Sequence, residues 1–125
     1  MNDIETSISN ILDWAHARNL IDGSNPIAQL AKTIEECGEI LTELQARERY
    51  DPEKLKHDLD QAIEVYTEYN RKLKLEYGDV LVTIIVGMAQ QGYTVEECLS
   101  LAYDKIKDRK GKMVNGQFVK EKVDE

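Results

Sequence analysis

Only two prolines punctuate this chain, Pro26 and Pro52, and each stands where a helix would open. Proline lacks an amide hydrogen and fixes its own φ, so it suits the first turn of a helix and breaks the interior of one. A chain with so few breaks is free to run in long helices. In "SNPIAQLAKTIEECGEILTELQ", Ser24 or Asn25 is the expected N-cap, with Pro26 in the first turn. Ile27, Leu30, Ala31, Ile34, Cys37, Leu41 and Leu44 then recur mostly at intervals of three and four, which predicts an amphipathic helix with this stripe turned to the core. Upstream, "DIETSISNILDWAHAR" carries Ile4, Ile8, Ile11, Leu12 and Ala15 as a shorter helix, and "NLIDGSN" reads as the loop between them.

Downstream, Asp51 reads as a cap and Pro52 as a first-turn residue of either one long helix or two joined near residues 71–74. Residues 53–74 are mostly polar, with Leu55, Leu59, Ile63 and Tyr66 as a thin stripe. Residues 80–89 are apolar almost all round, which predicts burial on most sides. Thr94 and Glu97 form a capping box for a last helix, with Val95, Cys98, Leu99, Leu101, Ala102 and Ile106 as its apolar face and Gly111 at its end. "KMVNGQFVK" reads as a hairpin turning at Asn115 and Gly116, and residues 119–125 as a frayed tail. The expected fold is all-α: a four-helix bundle-like single domain over residues 1–125, with a short C-terminal β-hairpin, oligomerising through its helices.

Length and charge narrow the function. At 125 residues the chain suits one domain, and 42% hydrophobic with 32% charged residues argues against general disorder. A net charge of −8 disfavours a nucleic-acid binder, which would normally be basic. Residues 1–10 have no basic start followed by an apolar run, so no leader is expected. The apolar run at 80–89 is too short to span a bilayer. Cys37 and Cys98 form no disulfide framework and are expected as free, buried thiols in a cytoplasmic protein.

The chemistry lies in the carboxylates. At about 100° per residue from Ile27, the apolar Leu30, Ile34 and Leu41 lie within about 60°, while Glu35, Glu39 and Glu36 fall at about 80°, 120° and 180°. Like charges at that spacing repel, with Lys32 the nearest relief. A solvated acidic face is the plain reading of this group alone. Glu76 and Asp79 weaken it, because they stand at the entrance to the apolar run. Helix N-terminal stabilisation would explain them if a helix began near Leu75, and fails if the helix is continuous from upstream. Antiparallel helices would aim Glu35, Glu36, Glu39, Glu76 and Asp79 at one spot, an all-oxygen set suited to Mg²⁺ or Mn²⁺. A di-iron bundle would need Glu-x-x-His pairs, and neither His16 nor His57 follows a Glu by three.

These residues resemble a known family. "QLAKTIEECGE", with Gln29, Lys32, Glu35, Glu36 and Glu39, is similar to the Q-x-x-K-x-x-E-E-x-x-E of MazG-like nucleoside triphosphate pyrophosphohydrolases. "EYGDVLV", with Glu76 and Asp79, resembles that family's E-x-x-D, and "AYDKIKDRKGKMVNGQFVKE" resembles the C-terminal segment of its small members, often phage-encoded. The resemblance implies an all-α enzyme, homodimeric or homotetrameric, that hydrolyses (deoxy)nucleoside triphosphates to the monophosphate and pyrophosphate with Mg²⁺. It implies Glu36, Glu39, Glu76 and Asp79 as metal ligands, and Glu35 as a ligand or the group that positions the attacking water. Phosphate contacts would come from Lys107 and Arg109, and more weakly from Lys32. Gln29 and Asp104 are further substrate-side candidates; small members carry Asn where Asp104 stands. Trp14 reads as either core or a base-stacking ring. The gap of 36 residues between Glu39 and Glu76 is longer than usual for the family, which marks residues 51–74 as an insertion or helix extension.

Within the same fold, a dUTP, dCTP or phosphoribosyl-ATP specialist remains possible. From another class, the rival is a non-catalytic helical interaction module. A nucleic-acid role through "KIKDRKGK" is a third reading, and neither nucleic acid nor membrane is the expected partner.

Overall fold

A computed structural model of the chain describes residues 3–48 and 58–121. The described residues form four helices and one hairpin: α1 Asp3–Ala17, α2 Pro26–Glu48, α3 Leu59–Gln90, α4 Val95–Ile106, then β1 Gly111–Val114 and β2 Gln117–Lys120. The fold is all-α with a short C-terminal hairpin. The chain divides into two compact units, Met1–Gly92 and Tyr93–Glu125. No described helix is long and apolar enough to cross a membrane.

In the first unit α3 is the central element, and α1 and α2 both pack against it. Asn25 caps α2, its side-chain oxygen accepting from the Ala28 amide at 2.9 Å. Asp51 and Pro52, expected to open the third helix, lie outside the described residues. α3 itself opens later, at Leu59. Asp58 is non-helical at φ −132° and its carboxylate accepts from the Gln61 amide, satisfying an orphan donor of the first turn. From there α3 runs unbroken to Gln90, so the alternative of two helices joined near residues 71–74 is excluded and residues 59–74 are the first half of α3. Between α1 and α2 the chain turns through Asn19 at φ +57°, and the Gln90 amide donates to the Leu20 carbonyl at 2.8 Å, tying that turn to the end of α3.

The covered face of α2 is not the one its apolar periodicity selects. Thr33 and Ile40 are buried and Gln29, Glu36 and Glu43 half-buried, whereas Ile27 is 84% and Ile34 66% exposed. Leu30 and Leu41 are exposed with them, and so is Cys37; Cys98 is half-buried, so neither thiol is buried as expected. The residues at 29, 33, 36, 40 and 43 repeat at four and three, a seam spacing. Seam polar groups supply the register. Gln29 Nε2 donates to the Thr83 carbonyl (3.1 Å), Lys72 Nζ to Glu43 (2.9 Å) and Arg47 to Asn70 (3.2 Å), so α2 and α3 run antiparallel. The apolar run at 80–89 is likewise covered less than expected: Thr83 and Val86 are buried, but Leu81 is exposed. Among the described residues of this unit only α1 and α2 pack against α3, and they leave part of its surface exposed.

In the second unit, the Thr94 and Glu97 capping box is present, with Thr94 Oγ accepting from the Glu97 amide and the Glu97 carboxylate accepting from the Thr94 amide. α4 stops at Ile106, short of Gly111. Gly111 instead opens β1, where an added Cβ would collide with the Val119 carbonyl and the Phe118 ring. The hairpin pairs Gly111 with Lys120 and Val114 with Gln117, and Asn115 (φ +50°) and Gly116 (φ +78°) form its two-residue turn. Val119 and Lys120, which the hairpin and tail readings shared, are strand residues as the hairpin reading has them; residues 122–125 lie outside those described.

Candidate functional site

Helix α3 settles one question about the acidic groups. Glu76 and Asp79 lie in the interior of a 32-residue helix, so stabilisation of a helix N-terminus does not account for them. Antiparallel pairing brings Glu76 over the middle of α2. There a concavity of about 550 Å³ opens, lined by Glu35, Glu39, Thr42 and Glu43 from α2 and by Lys72 and Glu76 from α3. Gly38 floors part of it, with nothing within 4 Å of where a Cβ would stand.

The groove is electrostatically unbalanced. Glu76 Oε2 is shut off from solvent and has no hydrogen-bond partner among the described residues. An unpaired buried carboxylate oxygen is costly, and such atoms ordinarily find a donor or a cation. The Glu39 carboxyl is pushed above the usual range, first by the charge of Glu36, then by its hydrogen bond with Glu36, by burial and by Glu35; Lys32 opposes this. Lys32 bridges the rim, 3.3 Å from Glu35 and 3.4 Å from Glu36, whose side chain is only 13% exposed. Its ammonium is held above the ordinary lysine range chiefly by the hydrogen bond to Glu35.

Of the five carboxylates singled out in the sequence, the structure therefore brings Glu35, Glu39 and Glu76 to one groove, with Glu36 beside Glu39. Asp79 is exposed and does not line it. Among the described residues, no three carboxylate, imidazole or thiol groups converge closely enough to hold one ion. The donor chemistry still fits a hard divalent cation: the donors are all oxygen, one of them is orphaned, and the Glu36 and Glu39 charges repel.

The remaining candidates are dispersed. The Gln29 amide is engaged with the Thr83 carbonyl in the seam. Trp14 is 42% exposed, with the Arg18 guanidinium 5.1 Å from its ring centroid, so it is neither core nor bare. In the second unit, Lys107 pairs with Asp104 at 3.5 Å, and Asp104, Lys105, Asp108, Arg109 and Lys120 line a separate concavity of about 500 Å³.

Two charged groove residues, Glu43 and Lys72, escaped the sequence reading. Glu43 extends the Glu35, Glu39 column by one more interval of four, and Lys72 precedes Glu76 by the same interval. Both spacings were visible, but in a charged helix they look like any solvated pair. Compared with known protein families, curated proteins and solved structures, the chain finds no match.

Proposed function

We propose that the α2–α3 groove is the active site of a Mg²⁺-dependent pyrophosphohydrolase of (deoxy)nucleoside triphosphates, MazG-like in its motifs and serving nucleotide clean-up in the cytoplasm. The observation that carries this reading is the solvent-excluded oxygen of Glu76, without a partner among the described residues, on a side chain that lines the same groove as the α2 glutamates. As the resemblance implies, Glu36, Glu39 and Glu76 would be drawn together onto the ion, with Asp79 one turn along α3 from Glu76; in this structure they do not converge on one point. When bound, Mg²⁺ (or Mn²⁺) offsets the charge of the triphosphate and lowers the pKa of a coordinated water. Glu35, paired with Lys32 at 3.3 Å, would orient the attacking water and take its proton. Water oxygen bonds to the α phosphorus as the bond to the bridging oxygen breaks, and pyrophosphate leaves. Lys107, Arg109 and Asp104 belong to the second unit, and this reading of the groove does not depend on them. Gln29 serves register, and Trp14 with Arg18 remains a candidate base platform.

The exposed apolar stripe of α2 supports a homo-oligomer, in which a second copy covers Ile27, Leu30, Ile34 and Leu41. It equally favours the second reading, a helical interaction module without catalysis. A panel of (d)NTPs, including dUTP and dCTP, together with phosphoribosyl-ATP, assayed for pyrophosphate with and without Mg²⁺, separates the two. Release that requires Mg²⁺ is expected. No release from any substrate at high enzyme concentration favours the module.

A further inference from the structure

A triphosphate entering this groove meets Glu35, Glu39, Glu43 and Glu76, and among the described residues only one lining side chain is cationic. That side chain is Lys72. Its ammonium is 2.9 Å from Glu43 Oε2, and Glu43 is itself only 12% exposed, so the anchor is fixed in the α2–α3 seam while Lys72 stays half-exposed. Among the described residues the hydrogen bond to Glu43 is the one that Lys72 makes, and an ammonium has three donors. One donor is engaged by Glu43, and the side chain that carries the other two lines the concavity.

We propose that Lys72 is the phosphate-binding cation of the groove, paired with Glu43 through one donor while its ammonium meets the oxygens of a bound polyphosphate. This rests on the hydrolase reading for its substrate class. The bland alternative is an interhelical ion pair that only links α2 to α3. The two differ in what removal of each partner does. A purely structural pair is lost equally from either end. A phosphate-binding lysine is lost only when the ammonium goes. Glu76, one turn from Lys72 on the same helix, and Glu43 both favour the charged form of Lys72, with the Glu43 hydrogen bond the larger influence.

The test is calorimetric titration of inorganic tripolyphosphate in Mg²⁺ into the full chain, with melting curves of each free protein. Lys72→Met should weaken binding by about tenfold or more, and Lys72→Arg should restore most of it, because both cations donate to phosphate oxygens. Glu43→Gln, which removes the pair and keeps the ammonium, should bind within about threefold of wild type, since that removes an anchor but also a repelling charge. The proposal is overturned if Lys72→Met binds as wild type does, if Lys72→Met and Glu43→Gln weaken binding equally, or if wild type binds no tripolyphosphate. The hydrolase reading fails separately. Lys72-dependent binding with no pyrophosphate release from any (d)NTP would retain the phosphate site and remove the catalysis.

Discussion

Thr33 and Thr83 meet hydroxyl to hydroxyl at 2.8 Å across the α2–α3 seam, and both side chains are buried. Thr83 donates its own hydroxyl hydrogen to the Val80 carbonyl at 2.7 Å, which leaves its oxygen to accept from Thr33, whose hydroxyl also lies 3.1 Å from the Gln29 carbonyl. This short relay sets the register that brings Glu76 over the α2 glutamates.

Breaking the relay from one side should cost more than removing it whole. Thr33→Val and Thr83→Val should each lower stability by about 1 kcal/mol, the net worth of a typical buried hydrogen bond. The double variant should cost clearly less than the sum, since two apolar groups of the same shape then face each other. Urea unfolding of the three variants measures this, and strict additivity would count against the relay.

Glu39 should respond to pH in a definite direction. Its folded-state pKa is raised, mainly by Glu36, so the native state binds the proton more tightly than the unfolded state does. Wild-type stability from this group therefore falls as pH rises from the unfolded glutamate value, about 4.3, through the higher folded value. Glu39→Gln should thus melt higher than wild type at neutral pH in chelator, and the gain should vanish below the unfolded value. With Mg²⁺ added, wild type should gain stability and Glu39→Gln should gain less. A variant that melts lower than wild type in chelator at neutral pH would contradict this.

The uncovered stripe on α2 makes a prediction about assembly. Ile34 is two-thirds exposed in the single chain, so Ile34→Glu should leave helix content unchanged. If a second copy covers the stripe, the same change should convert an oligomer to a monomer. Light scattering on both proteins reads this directly, and a monomeric wild type would show that the stripe serves something else.

That stripe also marks where the sequence stops being informative. Elements whose ends carry local chemistry were legible. Asn25 and Pro26 open α2, Thr94 and Glu97 open α4, and Asn115 with Gly116 turns the hairpin; each is decided within a few residues. α3 opens at Asp58 and Leu59; Asp51 and Pro52, outside the described residues, look as strong a signal in the sequence, and nothing local ranks the two. The covered face of α2 was misread for a different reason. Apolar periodicity shows which face gains from burial, but not whether this chain supplies the cover. Here the Gln29, Thr33, Glu36, Ile40 and Glu43 face meets α3, chosen by complementary polar partners that lie some thirty to fifty residues away in the chain. The same non-local pairing explains the site. Glu35, Glu39 and Glu76 could be nominated from spacing, while Lys72 and Glu43 became functional candidates only once the register placed them in one groove.

Product analysis by phosphorus NMR tests the central claim most directly. Wild-type protein with Mg²⁺ and a deoxynucleoside triphosphate should yield nucleoside monophosphate and pyrophosphate in equal amounts. Glu76→Gln, with its helices intact by circular dichroism, should yield neither. Orthophosphate as the primary product, or undiminished pyrophosphate from the Glu76→Gln protein, would contradict a hydrolytic site in the α2–α3 groove.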